Sequence, residues 1–285
     1  MRKAFFTILF LFCCKVSSAA QTPELNHLYV VLDSASFQAL KTNPYMRFFG
    51  RMDAGMPDFS PVTDSSTTLY LRGKNTYVEI MGPENRFKEA VGAVGIGFSW
   101  DSRAGEPDTI SLQRRSGNCP AFEHSVAKWN FGGKEIRWYT AYHSEPAGDI
   151  ATWYAFYNPD FLTQLFGRPY TRFTRGLFLE KTYDASKDFT DVGGIVLSCS
   201  EADFVRINRE LNCLGAQLIR KNGNLSVFRL GDVQFTLERG AAGKPALKKI
   251  MLRAKKHQNA AFTLGTLQVG GENQVLNIEF HTHEQ

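Results

Sequence analysis

The chain has 285 residues, 43% hydrophobic and 13% aromatic, with 33 basic and 28 acidic side chains and a formal charge of +5. That balance suits one large core or two smaller ones and excludes a low-complexity or disordered chain. The basic residues form no dense block, which excludes the electrostatic footprint of a nucleic-acid or anionic-membrane binder.

The first element is a leader. Met1-Arg2-Lys3 is a cationic head, Ala4 to Cys14 is an apolar run too short to span a bilayer, and Val16 to Ala20 supplies small residues for cleavage. Residues 1–20 therefore read as a secretory signal cut before Gln21, and the mature chain as secreted or periplasmic. No later segment is apolar enough to cross a membrane, so no membrane association is expected once the signal is gone. Cleavage removes Arg2, Lys3 and Lys15 and no acid, so the charge falls from +5 to +2. Cys119, Cys199 and Cys213 remain. An exported chain has room for one disulfide and one free thiol; Cys199 and Cys213 bracket a helix pattern and are either bridged or buried as two free thiols.

"HLYVVLD" (His27 to Asp33) is apolar and β-branched, as in a strand buried on both faces. A helix follows, capped by Ser34 or Ser36 and carrying Phe37 and Leu40, with more aromatics past Asn43-Pro44. "TTLYLRG" and "TYVEIMG" are short strands joined through Gly73-Lys74-Asn75. The order then restarts. "VGIGFSWD" is a strand ending in Asp, and long aromatic strands follow around the Gly132-Gly133 turn. Gly167 to Asp191, charged and turn-rich, is the candidate boundary between two paired halves. "GGIVLSCS" opens a third round, with a helix bearing Phe204, Ile207 and Leu211, Gly215 near its end, and hairpin strands. "LKKIMLRAKKH" is a helix or a strand with a solvated basic face, and "TLQVGGENQVLNIEF" completes a shorter fourth round.

Asn26-His27-Leu28-Tyr29-Val30-Val31-Leu32-Asp33, the helix after it and the later Tyr77-Val78-Glu79-Ile80 strand resemble a module of the vicinal oxygen chelate, or glyoxalase-like, superfamily. "YLRGKNTYVEI" is also similar to an uncharacterised bacterial branch of it. The resemblance is carried by Leu25 to Asp101. It implies an α+β fold of paired βαβββ modules whose curved mixed sheets close a cup. Residues 21–175 would form one glyoxalase-like domain of two modules, and residues 176–285 a second, of one clear module and one short one. The first-strand metal ligand of the superfamily falls on His27 and its last-strand carboxylate on Glu79. An imidazole and a carboxylate suit one divalent metal ion that polarises vicinal oxygens.

The other half should supply the remaining ligands, and there the pattern breaks. Aligning "NHLYVVLD" with "VGIGFSWD" puts Gly95 at the place of His27. Glu238 in "QFTLERG" matches Glu79 only with a one-residue shift, which turns a strand side chain to the opposite face. His143 is the candidate supplement, because alternation places Arg137, Tyr139, Ala141 and His143 on one face. Without a third ligand, His27 and Glu79 become the polar anchors of a ligand pocket lined by rings such as Tyr29, Tyr77 or Trp100. The bland reading makes His27 a strand-entry histidine and Glu79 an outward charge. The reading carried forward is an exported glyoxalase-like protein that binds a small molecule in a cup without metal. The alternatives are a divalent-metal lyase, isomerase or dioxygenase of the chelate type, and a non-catalytic structural or interaction module.

Overall fold

The computed structural model describes residues 23–103, 119–144, 150–240 and 246–281; the expected leader lies outside them. β1 (Glu24–Val31) leads into α1 (Ser34–Thr42) and α2 (Pro44–Phe49), then β2 (Arg51–Asp53), β3 (Thr68–Arg72) and β4 (Tyr77–Met81). The cap of α1 is Asp33 rather than a serine: its carboxylate accepts from the Ser36 amide at 2.9 Å and from the Ser36 hydroxyl at 2.6 Å. Asn43 ends α1 and caps α2, whose first residue is Pro44.

The second round comprises β5 (Val94–Ser99), β6 (Ser102–Arg103), β7 (Glu123–Phe131), β8 (Lys134–His143), β9 (Ile150–Tyr157) and α3 (Pro159–Phe166). β10 (Arg172–Phe173) and α4 (Arg175–Leu179) follow. The third is β11 (Phe189–Cys199), α5 (Glu201–Cys213), β12 (Gln217–Lys221), β13 (Leu225–Leu230) and β14 (Val233–Arg239). The last is β15 (Leu247–Ala254), β16 (Ala261–Leu264), β17 (Leu267–Glu272) and β18 (Val275–Phe280), which resolves "LKKIMLRA" as a strand.

Two mixed eight-stranded sheets result, in the orders β2-β3-β4-β1-β5-β9-β8-β7 and β12-β13-β14-β11-β15-β18-β17-β16. Within the first three rounds the opening strand pairs parallel with the closing one, β1 with β4, β5 with β9 and β11 with β14. Rounds join edge to edge through antiparallel β1–β5 and β11–β15 pairs. This is the paired-module strand order that the sequence resemblance implies. The fourth round departs from it, since β15 pairs antiparallel with β18. Only residues 255–260 separate β15 from β16. That is too short for the crossover a parallel pair requires, so the chain simply turns back.

The sheets pack back to back. Val30, Leu71, Val78 and Ile80 share one core with Ile250, Leu252 and Ile278, and Phe98 meets Phe235 at 5.5 Å between ring centroids. Polar pins hold the stack. Asp191 of β11 accepts from the Asn75 and Thr76 amides, each at 2.7 Å, and the fully buried Glu210 of α5 accepts from Thr152 at 2.7 Å and Tyr154 at 2.5 Å. A disulfide joins Cys119 to Cys213, and Cys199 is the buried free thiol. The expected count of one disulfide and one free thiol holds, but the bridge is not Cys199–Cys213: Cys213 bonds Cys119, 94 residues away in sequence. Between Gly167 and Asp191, Phe173, Phe178 and Leu179 are buried in a second core over the front of the first sheet.

Candidate functional site

The front face of the first sheet is a cup built by register. Parallel pairing sets His27 beside Tyr77 and Tyr29 beside Glu79, and on the other flank β3 sets Tyr70 beside Glu79 and Arg72 beside Tyr77. Alternate strand residues share a face, so all six point the same way. Across β5 the partners of Tyr29 and His27 are Gly95 and Gly97, and the partner of Gly97 on β9 is Trp153. A Cβ on Gly95 would lie 2.1 Å from the Tyr29 ring, and one on Gly97 2.6 Å from the Trp153 ring. The two glycines let those rings lie flat over β5. Tyr139, Tyr157, Trp129 and Trp138 continue the wall, Phe178 of α4 and Met56 cover it, and Arg86, Phe87 and Glu89 form a rim. The cavity measures about 280 Å³, at the small end of ligand pockets.

The His27 ring stacks on Tyr77 with centroids 4.4 Å apart and meets Trp153 edge-on at 5.1 Å. Its Nδ1 lies 2.8 Å from Asn26 Oδ1, while the Asn26 amide donates to Ser99 Oγ at 3.0 Å. That orientation makes Nδ1 the donor and leaves Nε2 with its lone pair. Burial, aided by the Arg72 guanidinium, pushes the His27 pKa down to about 3. The imidazole is neutral at any physiological pH.

Glu79, 8% exposed, is pushed up from the usual carboxylate range by burial, against the opposing effects of Tyr70, Arg72 and Arg86. Its Oε1 accepts from the Tyr70 hydroxyl at 2.7 Å, and Oε2 has no hydrogen-bond partner among the described residues. Tyr29 is pushed up to about 12 by burial and the nearby Glu89 and Glu79 carboxylates. Arg72, 2% exposed, is held by Asp53 through Nε–Oδ2 at 2.9 Å and Nη2–Oδ1 at 3.0 Å, and its guanidinium lies over Tyr70 and Tyr77. The buried Trp138 Nε1–H lacks a partner among the described residues. The cup thus offers two open acceptors within an aromatic wall.

His27, Glu79, Tyr29 and Tyr77 are brought together as expected for a shared site. Trp100 is not: it stacks on Phe156 at 4.5 Å and belongs to the core behind the sheet. It shares the strand parity of Ile96 and Phe98, whereas the cup face of β5 is that of Gly95 and Gly97. His143 ends β8 opposite Glu123, four residues from Tyr139, and does not line the cavity. Glu238 lies in the other sheet, where Lys248 donates to it at 2.6 Å. Arg72 completes the site without having been singled out by the sequence, and Trp138, Tyr139, Trp153 and Tyr157 join it from the long aromatic strands.

A divalent ion, implied by the fold resemblance, does not fit this donor set. His27 and Glu79 line the wall of the cup and Glu89 only its rim, and among the described residues no three of His, Cys, Asp and Glu come together to hold a metal. The place where a second half would contribute is Gly95, and the space over it is taken by the Tyr29 and Trp153 rings. Two ligands fall short of the three that a catalytic zinc-type site uses.

A family model described as "Family of unknown function (DUF5829)" matches residues 25–278. No curated protein matches the chain. Among solved structures the chain is similar to a hypothetical protein from Staphylococcus aureus, at 11% identity over 76% of this chain and 86% of that one, with a TM-score of 0.46. It is similar to the Mn(II)-bound glyoxalase from Novosphingobium aromaticivorans, at 11% identity over 93% and 86%, with a TM-score of 0.45. A xylose isomerase-like TIM barrel/4-hydroxyphenylpyruvate dioxygenase fusion protein is similar at 11% identity over 77% of this chain and 32% of its own, with a TM-score of 0.40.

Proposed function

The chain belongs to DUF5829, a family of unknown function, and we propose that its aromatic cup binds a small, largely apolar organic molecule without a metal ion. One observation carries this reading: His27 and Glu79 converge on a single cavity, each with one acceptor atom left unspent. Each is an acceptor that a donor on a ligand can meet inside a largely apolar site. The rings supply the apolar area and the stacking. Export through a leader cut before Gln21 is part of the same proposal, supported by the Cys119–Cys213 disulfide, which suits an oxidising compartment.

The test uses the four tryptophans of the chain. Trp129, Trp138 and Trp153 line the cup and Trp100 lies behind the sheet. In nitrogen-15 NMR spectra recorded while aromatic fragments are added to the mature protein, a binder should move the three cup indole N–H signals and spare that of Trp100. Fragments that shift none of the three, or Trp100 alone, would refute the cup as the site.

A further inference from the structure

The charges of the cup do not balance. Arg72 is matched by Asp53 in a bidentate pair, and the rest of the cavity lining sets one cation, Arg86, against two carboxylates, Glu79 and Glu89, so one negative charge is left over. Among the described residues no cation lies in ion-pair contact with Glu79; Arg86 reaches the Tyr70 hydroxyl, at 3.5 Å, rather than the carboxylate. A buried carboxylate without a counter-ion is costly to maintain. Its open Oε2 and the lone pair of His27 Nε2 are both acceptors, so the deep end of the cup asks for a group rich in N–H. Around them stand the rings of Tyr29, Tyr139 and Trp153, an aromatic surrounding that favours positive charge.

We propose that the cup takes a compact organic ammonium ion, whose N–H groups donate to Glu79 and to His27 Nε2 while its apolar body lies among the aromatic rings. This rests on the reading of the cup as a small-molecule site and adds the class of ligand. A primary or secondary ammonium fits better than a quaternary one, because two acceptors need hydrogens to meet. A carboxylate ligand would face Glu79 with like charge.

The experiment compares three probes of similar shape, 2-phenylethylamine, 2-phenylethanol and phenylacetate, by calorimetric titration and by the indole N–H signals at pH 7. The expected ranking puts the amine at least ~10-fold tighter than the alcohol and the acid weakest, a tenfold step being about 1.4 kcal/mol. In Glu79→Gln the advantage of the amine should collapse, while Glu279→Gln, on the other sheet beside Lys249, should keep it. An alcohol or acid that binds as tightly as the amine overturns the ammonium proposal and leaves the cup as a binding site. If none of the three binds, both readings fall. The ranking on the wild-type protein needs no variant, so it decides the question even if Glu79→Gln does not fold.

Discussion

The His27 imidazole lies on the Tyr77 ring, 7° from parallel, with Nδ1 committed to Asn26. An uncharged ring is thereby built into the wall of the cup, with a consequence for acid stability. The unfolded histidine titrates near 6.5 and the folded one near 3, so between these values the unfolded chain binds the extra proton. The contribution of His27 is therefore complete above pH 6.5 and is lost as pH falls toward 3, by up to about 4–5 kcal/mol. Glu79, shifted up, acts with the opposite sign, its contribution declining as pH rises. Urea unfolding of wild type and His27→Gln across this range should show a flatter acid limb in the variant; parallel limbs would refute a neutral buried His27.

Gly97 should tolerate no side chain. Its Cβ would meet Trp153 ring atoms at 2.6 Å, so Gly97→Ala should cost about 1–3 kcal/mol through overpacking and weaken any ligand that touches Trp153. Gly270, with nothing within 4 Å of its Cβ position, supplies the matched control. Thermal unfolding of the two alanine variants should separate them clearly.

The Asp53–Arg72 pair is buried at both ends, with 1% and 2% exposure. Removing one partner strands a charge, so Asp53→Ala should cost about 3–5 kcal/mol. The double substitution Asp53→Leu with Arg72→Met should lose less than the sum of the two single changes, as a double-mutant cycle by denaturant unfolding would show.

Cys213→Ser should lower stability by about 3–5 kcal/mol, since the cross-link closes a long loop and ties α5 to the chain entering β7. Cys199 is buried, its thiol pushed up to about 12 by burial and the neighbouring Asp203, and should resist alkylation until the protein unfolds. Intact mass of the exported protein should place its first residue at Gln21.

Strand alternation made much of the site legible. "NHLYVVLD" and "TYVEI" each show the residues that line the cup, and the expected meeting of His27 and Glu79 follows from parallel pairing of the first and last strands of a module. Arg72 was hidden, because an arginine at a strand end reads as solvated; its burial depends on Asp53, which the short β2–β3 ladder sets opposite Tyr70, two residues along β3 from Arg72. Trp153 was hidden for a different reason. Its place is made by Gly97 on another strand, and an absent side chain leaves no apolar signal. The helix-or-strand ambiguity of "LKKIMLRA" arose because Met251 interrupts the alternation of Ile250, Leu252 and Ala254, which are the buried positions. The partner of Cys213 was set by tertiary packing alone.

The central claim is a ligand cup that works without metal. Its most direct test is metal analysis of the mature protein after chelation, followed by fragment titration of the metal-free sample, with the cup indole signals as readout. The account predicts less than one metal ion per ten chains and fragment affinities that change by less than about 2-fold, well under 1 kcal/mol, when a divalent ion is added back. A tightly held stoichiometric ion that His27→Ala removes, or binding that appears only once metal is restored, would contradict it.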